Sequence, residues 1–289
     1  MSMMFQITKI TKLEITILID IVALAAFLAV PGSTNHLYAL LILLITGTLA
    51  SMSASIFNNI YDMDIDPKMK RTSSRSQILN SETRTIFFGT ALAMIILSFA
   101  VSYVFLNAIT AIFILCGFAS YVLLYTIILK RRTSLNIVIG GIAGSFPALA
   151  GWASITDSVS ATSLFIAFLV FMWTPTHFWN LSINNVDDYK RSNIPMLPAV
   201  VGIKRTEFWI MVNTIILVLY SLLPVFIKEI HVGLIYIPMA AIMDSLLLYY
   251  VIKPIINNYN KKDFKSAFHF SNMYMLILLI GIMLILVKF

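Results

Sequence analysis

Asp62, Asp64 and Asp66 stand at alternate positions in NNIYDMDIDPKMKR, residues 58–71, and Lys68, Lys70 and Arg71 follow at once. The chain as a whole is only 11% charged, so this cluster calls for a chemical reason. Carboxylates that face one another repel and take up protons unless a cation lies between them. Mg2+ is the natural companion, because it prefers hard oxygen ligands and binds one or two carboxylates together with substrate phosphates. Lys68, Arg71, Arg75, Lys130, Arg131, Lys190 and Arg191, spread over three loops, would complete a cage for a diphosphate. The chemistry implied is departure of that diphosphate. Metal and cations would stabilise the charge developing on the leaving group, and a carbocation would remain in an apolar cavity that excludes water.

If the helix before this stretch runs through it, Asn58, Asp62 and Asp66 share one stripe, each about 40° round and about 6 Å beyond the last. Asp64 falls about 200° from Asp62, and Pro67 disfavours helix at Asp66 and marks the expected end. The device then recurs: INNVDDYKR, residues 183–191, echoes FNNIYDMD, residues 57–64. On the later helix His177, Asn184 and Asp188 lie within about 40° of one face, while Asp187 points elsewhere. Two Asn-x-x-x-Asp stripes, Asn58/Asp62 and Asn184/Asp188, thus end two helices and suit a shared ligand.

The elements that hold these residues must be membrane helices. Hydrophobic residues make up 60% of the 289 positions and mean hydropathy is +0.91, whereas a soluble domain is about half apolar and about a quarter charged. Nine apolar runs reach spanning length: 14–30, 37–60, 84–105, 108–129, 136–154, 161–184, 206–227, 232–252 and 266–287. The expected fold is all-α, a polytopic membrane protein of nine transmembrane helices in one bundle, with residues 1–289 as a single domain. The fifth run carries Gly140, Gly141, Gly144 and Pro147 and is expected to be buried and broken; Glu14 and Asp20 interrupt the first. The sole cysteine, Cys116, sits in an apolar run, which excludes an internal disulfide and suggests a buried thiol. MSMMFQITKITK lacks the pattern of a transit peptide, and no small-residue cleavage site follows, so no removed segment is expected.

Of the twenty Lys and Arg residues, all but Lys228 and Lys288 fall at the N-terminus or in the loops after helices two, four, six and eight. That asymmetry predicts a cytoplasmic N-terminus and places the acidic and basic clusters at the cytoplasmic side. The net charge of +7 then reflects topology and an anionic ligand, and gives no reason to invoke nucleic acid. Lys70 and Arg132 are read as topological.

The stripe Asn58, Asp62, Asp66 resembles the first motif of the UbiA-type intramembrane prenyltransferases, which use Mg2+ and a prenyl diphosphate. Within that superfamily, YDMDIDPKMKRTSSR, LLYTIILKRRTSLNIVIGGIAGSFPALAGWA, WTPTHFWNLSINNVDDYKRSNIPMLP and FHFSNMYMLILL resemble successive segments of the heme O synthases, the protoheme IX farnesyltransferases. THFWNL and DDYKRSNIPMLP are the specific part. The resemblance implies a transferase in the cell membrane that joins the farnesyl group of farnesyl diphosphate to a vinyl group of protoheme IX, with addition of water. It implies Mg2+, with Mn2+ as the alternative ion, held by Asn58, Asp62, Asp66 and Asp188, with Asn184 or Asp187 contributing. Catalysis would rest on Asn58, Asp62, Asp66, Asp188, Arg71 and Lys130. Lys68, Arg71, Arg75, Lys130, Arg131, Lys190 and Arg191 would contact the diphosphate together with Tyr125, one turn before Lys130. His177 is expected as a heme contact or axial ligand beside Trp173, and a heme-delivering protein or a heme A synthase as a partner. Three departures stand out: Ser73, Ser74 and Ser76 replace the Lys, Asn and Pro common in the first loop, Asn184 and Asn185 replace basic residues, and with four histidines in the chain a two-histidine heme site is hard to build.

Two other functions fit parts of the pattern. A related prenyltransferase acting on a quinone precursor or another lipid would keep the first stripe and change the acceptor pocket. An ion-coupled transporter would place its charges near the membrane midplane, whereas here they gather at one face.

Overall fold

A computed structural model describes residues 8–284, and its elements are helical, with no strand among the described residues. Lys288, the N-terminal residues 1–7 and the end of the ninth run lie outside that range. The long helices follow the apolar runs in order: α1 Leu13–Leu28, α2 Leu37–Tyr61, α3 Arg84–Phe105 and α4 Ala108–Ala119. α4 continues as a π-helix over Ser120–Leu129. The fifth run divides into α5 Asn136–Gly140, a 3-10 turn Gly141–Gly144, and α6 Phe146–Thr156. α7 Ala161–Asn184 is followed by the short α8 Val186–Arg191 and α9 Leu197–Val201, then α10 Ile203–Ser221, α11 Tyr236–Ile256 and α12 Lys261–Met283.

Among the described residues, eight helical segments are long and apolar enough to cross a membrane. α1, at 16 residues, is the shortest of the nine elements and falls below the length of about 17 residues that a bilayer core requires. The break expected in the fifth run is present at Gly141–Gly144, and beyond it α6 packs closely on α1. A Cβ at Gly151 would lie 2.2 Å from the Ala23 carbonyl oxygen, so only glycine lets α6 meet α1 there. Ala23, Ala25, Ala26 and Ala29 on α1 and Ala148, Ala150 and Ala153 on α6 are all buried, the small-residue packing by which membrane helices associate without a hydrophobic driving force. Large apolar side chains such as Ile86, Val104, Leu219 and Ile256 remain exposed, as lipid-facing surfaces require. Cys116 is free and only partly buried, short of the burial expected for it.

Several polar residues inside the bundle meet partners in neighbouring helices, because unsatisfied groups in hydrocarbon are costly. Pro175 removes a backbone donor from α7; close by, Asn213 of α10 donates to the Met172 carbonyl at 2.8 Å and to Thr176 Oγ1 at 2.8 Å. Ser160 opens α7 with a capping box, bonding reciprocally with Ser163. Asn107 caps α4 by accepting from Thr110 N at 2.8 Å and ties it to α6 by donating to the Ala153 carbonyl at 2.7 Å.

Two elements depart from the helical stripes expected above. α2 ends at Tyr61, with Asp62 as its C-cap (φ −92°, ψ 7°) and Asp66 opening a separate 3-10 turn, Asp66–Lys68. The Asp62 carbonyl accepts from both Ile65 N (3.0 Å) and Asp66 N (2.9 Å), which turns the chain back over the helix end. α7 likewise stops at Asn184, so Asp188 sits on α8 and not on the face of His177 extended. At the end of α7 the Asn184 and Asn185 side chains bond back to carbonyls one turn earlier, an alternative to continued helix.

Candidate active site

Asn58, Asp62 and Asp66 are all buried at the end of α2, each held by a residue from another element. Asp62 Oδ2 is ion-paired with Lys130 Nζ. Asp66 Oδ1 lies 3.7 Å from Arg75. Asn58 Nδ2 donates to Thr126 Oγ1 at 3.0 Å, and Asn58 Oδ1 accepts from Lys12 Nζ. Burial raises the Asp66 carboxyl above its ordinary range, with Arg75 opposing.

The π-helix explains how Thr126 and Lys130 reach Asn58 and Asp62 together. Its wider winding shows in the bond from Lys130 N to the Tyr125 carbonyl, five residues back, at 2.8 Å. The Thr126 hydroxyl also reaches five back, to the Tyr121 carbonyl at 2.8 Å. Such segments recur at functional sites because they shift side chains out of α-helical phase. Tyr121 and Tyr125 stack at 5.6 Å between centroids, and the Tyr125 ring presses on α5 where a Cβ at Gly140 would come within 2.7 Å.

Arg131 joins both members of the acidic pair. It donates to both oxygens of Asp64 at 2.7 and 2.8 Å and to the Tyr61 carbonyl at 2.8 Å, and its guanidinium lies 4.6 Å from the centre of the Tyr61 ring. Asp64, off the expected stripe, is therefore the anchor of a site cation. The Arg131 hydrogen bonds hold its carboxyl below the usual range. Arg131 also stands 3.7 Å from Asp62 Oδ1.

The second motif lies across a cavity of about 450 Å3 lined by Lys70, Arg71, Asn184, Asn185, Asp187, Asp188 and Arg191. Asp188 is buried, ion-paired with Arg191, and accepts from the backbone N–H of Arg71 at 3.4 Å. Ile65 and Met69 of the first loop pack with Tyr189, Ile194 and Met196 of the second, which holds the two motifs together at one end of the bundle. Asn184 and Asn185 spend their amide donors on the Asn180 and Leu181 carbonyls, at 2.9 and 2.8 Å. Asp187 is exposed and tied to Lys261 at 3.3 Å. Lys68 and Lys190 are exposed.

Among the described residues no three His, Cys, Asp or Glu side chains form a metal-holding group by themselves. The acidic residues stand instead in two groups, each balanced by cations. One oxygen nevertheless suits a metal: Asp62 Oδ1 is buried and accepts no hydrogen bond, and a hard cation that completes its coordination with phosphate oxygens fits it.

His177 is buried on α7 between Trp173 and Phe268, whose rings stack on it at 4.3 and 4.5 Å. Its Nδ1 is hydrogen-bonded to Ser271 Oγ at 2.8 Å, and Trp173 donates to the Ser271 carbonyl at 2.8 Å. His36, His231 and His269 are exposed.

Sequence reasoning missed Lys12, Tyr121 and Thr126. Lys12 reads as one more positive residue ahead of an apolar run, yet it also donates to Tyr121 Oη at 3.1 Å. Burial pushes its ammonium down to about 7, Arg75 acts in the same direction, and Asp62 and Asp66 oppose. The serine-rich first loop forms a 3-10 turn, Ser73–Gln77, pinned where Ser76 Oγ donates to the Ser73 carbonyl at 2.7 Å and Ser74 accepts from Lys9 at 3.0 Å.

Three likenesses bear on this arrangement. The chain is 84% identical, over all 289 residues of both proteins, to protoheme IX farnesyltransferase 2 of Picrophilus torridus. Its fold matches a solved digeranylgeranylglyceryl phosphate synthase with TM-score 0.76 at 17% identity, over 97% of each chain. It also matches a UbiA homolog from Archaeoglobus fulgidus bound to DMAPP and Mg2+, with TM-score 0.65 at 14% identity, over 94% of this chain and 99% of the other. Residues 20–276 match the profile of the UbiA prenyltransferase family, so a helical bundle with paired acidic motifs at one end is here a member of that family.

Proposed function

We propose that this membrane enzyme transfers the farnesyl group of farnesyl diphosphate to a vinyl group of protoheme IX with addition of water, giving heme O and diphosphate. The observation that carries the donor half is that the Asp62–Lys130 pair and the Asp188–Arg191 pair stand at one end of the bundle, the second of them on a cavity that Lys70 and Arg71 also line. Full-length likeness to a protoheme IX farnesyltransferase supports the acceptor.

The residues divide the work. Lys130, Arg131, Arg75 and Arg71 receive the negative charge that grows on the diphosphate as the bond from its oxygen to C1 breaks. Mg2+, held by Asn58, Asp62, Asp66 and Asp188, would supply further charge neutralisation at the leaving group, with Mn2+ as an alternative ion. The vinyl group donates its electron pair to C1, and water adds to the resulting cation with loss of a proton. The stacked Tyr121 and Tyr125 rings offer π faces to a cation formed beside them. His177, clamped between two rings and fixed through Nδ1, serves as the heme contact, with Trp173 as part of the same wall. Asp187, tied to Lys261, and Asn184 border the cavity. Residues 1–289 act as one domain in the cell membrane, with the eight long helical segments spanning it, the shorter α1 as the ninth, and both the N-terminus and the site on the cytoplasmic side. A heme-delivering protein or a heme A synthase is the expected partner.

The test is to incubate the detergent-purified protein with protoheme, farnesyl diphosphate and Mg2+ and to weigh the extracted heme. A mass gain of one farnesyl group plus water, lost with chelator, is expected. Unchanged heme with metal-dependent diphosphate release would overturn the acceptor and point to another lipid.

A further inference from the structure

Residues 9–12, ahead of α1, are bound to the site from outside its two motifs. Lys9 donates to Ser74 in the loop that carries Arg75, and Asn59 Nδ2 donates to the Ile10 carbonyl at 2.7 Å. Lys12 then reaches Asn58 Oδ1 and Tyr121 Oη. Its backbone has φ 50°, a left-handed conformation that residues with a Cβ seldom adopt unless the surroundings impose it.

What separates Lys12 from Lys130, Arg75, Arg131 and Arg191 is the character of its partners. Lys130 pairs with Asp62, Arg75 with Asp66, Arg131 with Asp64 and Arg191 with Asp188. The hydrogen bonds of Lys12 go to an amide and a phenol, both neutral, and Asp62 and Asp66 act on its charge only from beyond ion-pair distance. A desolvated cation held by neutral acceptors is unfavourable until an anion joins it, and these acceptors hold it beside Asn58, where the diphosphate is expected.

We propose that Lys12 is a diphosphate-binding residue, its ammonium donating to a phosphate oxygen of the prenyl donor while Tyr121 and Asn58 keep it in place. This rests on the reading that a prenyl diphosphate binds at the Asp62 site.

The experiment measures binding of inorganic diphosphate with Mg2+ to the purified full-length protein, together with KM for farnesyl diphosphate and for protoheme. Lys12→Gln keeps a donor for Asn58 and removes the charge; Lys12→Arg keeps the charge. A charge-assisted hydrogen bond lost from the donor corresponds to roughly 10- to 100-fold in affinity. Lys12→Gln is therefore expected to weaken diphosphate binding and raise the farnesyl diphosphate KM by that factor, with the protoheme KM within about twofold and Lys12→Arg intermediate. Diphosphate binding by Lys12→Gln equal to wild type would overturn the proposal. If Lys12 variants are not recovered folded, Tyr121→Phe decides: it leaves the lysine and removes its phenol anchor, so affinity should fall by a smaller factor, and unchanged affinity would overturn the proposal. Asp62→Ala is the control. Loss of diphosphate binding there with none in Lys12→Gln removes Lys12 alone, whereas no loss in Asp62→Ala removes the site and the proposal with it.

Discussion

Asn58 of α2 and Thr126 of the π-helix, 68 positions apart, are joined by a hydrogen bond of 3.0 Å from Asn58 Nδ2 to Thr126 Oγ1. That contact settles which way the Asn58 carboxamide faces: its donor is taken by the threonine, and its oxygen is presented to the cation side of the site. Thr126→Val keeps the shape and removes the acceptor. We expect kcat/KM for farnesyl diphosphate to fall about tenfold, the effect of one lost hydrogen bond at about 1 kcal/mol or slightly more. Thr126→Ser should restore it; a valine variant with wild-type kinetics would show that Asn58 needs no such orientation.

Asp62→Ala should abolish turnover, by more than about 100-fold, since it removes both the proposed acidic ligand and the partner of Lys130. Breaking a fully buried pair costs about 3–5 kcal/mol. Lys130 is 12% exposed by side chain at the end of the bundle, so it can turn to water and the stability loss should be well below that. Thermal unfolding in detergent beside a diphosphate-release assay separates the two effects.

His177→Ala should impair use of heme more than binding of diphosphate. Ser271→Ala provides a finer probe, because it frees Nδ1 without removing the ring and leaves Trp173 and Phe268 to hold the stack. We expect the protoheme KM to rise several-fold in Ser271→Ala, with the farnesyl diphosphate KM unchanged. Normal heme binding in His177→Ala, followed by the Soret band, would remove the histidine from the heme site.

Gly151→Val should destabilise the bundle without touching its chemistry. Any Cβ there collides with the Ala23 backbone, so α1 must move away from α6. Overpacking of this kind costs about 1–3 kcal/mol or more. A lowered unfolding temperature with near-normal KM values for the remaining folded protein is the expected result.

The helices most plainly written in the sequence are those whose limits a bilayer dictates: α3, α7 and the combined fourth element end where the apolar runs 84–105, 161–184 and 108–129 end. Asp62, Asp66, Lys130 and Arg131 could be grouped from their types and from loops placed at one end. Local geometry was less legible. Periodicity extends a helix through Asp66 and Asp188, but capping by Asp62 and Asn185 depends on hydrogen bonds that a hydropathy pattern does not carry. Asp64 falls off the helical stripe, and its partner, Arg131, comes from a distant loop that periodicity does not reach. Lys12 was hidden for a related reason: a positively charged residue ahead of an apolar run is already explained by topology, which masks any second role.

The π-wound stretch Ser120–Leu129 has a consequence for how this protein can vary in length. Deleting one residue there at unchanged winding would swing Lys130 and Arg131 by about a quarter turn, away from Asp62 and Asp64, and only a compensating tightening from π to α winding would bring them back. The cations are thus phased by residue count, like teeth on a gear. Exposed turn positions such as Ser158 and Val159 lie outside the gear, whereas an uncompensated single-residue change inside 120–129 disengages it.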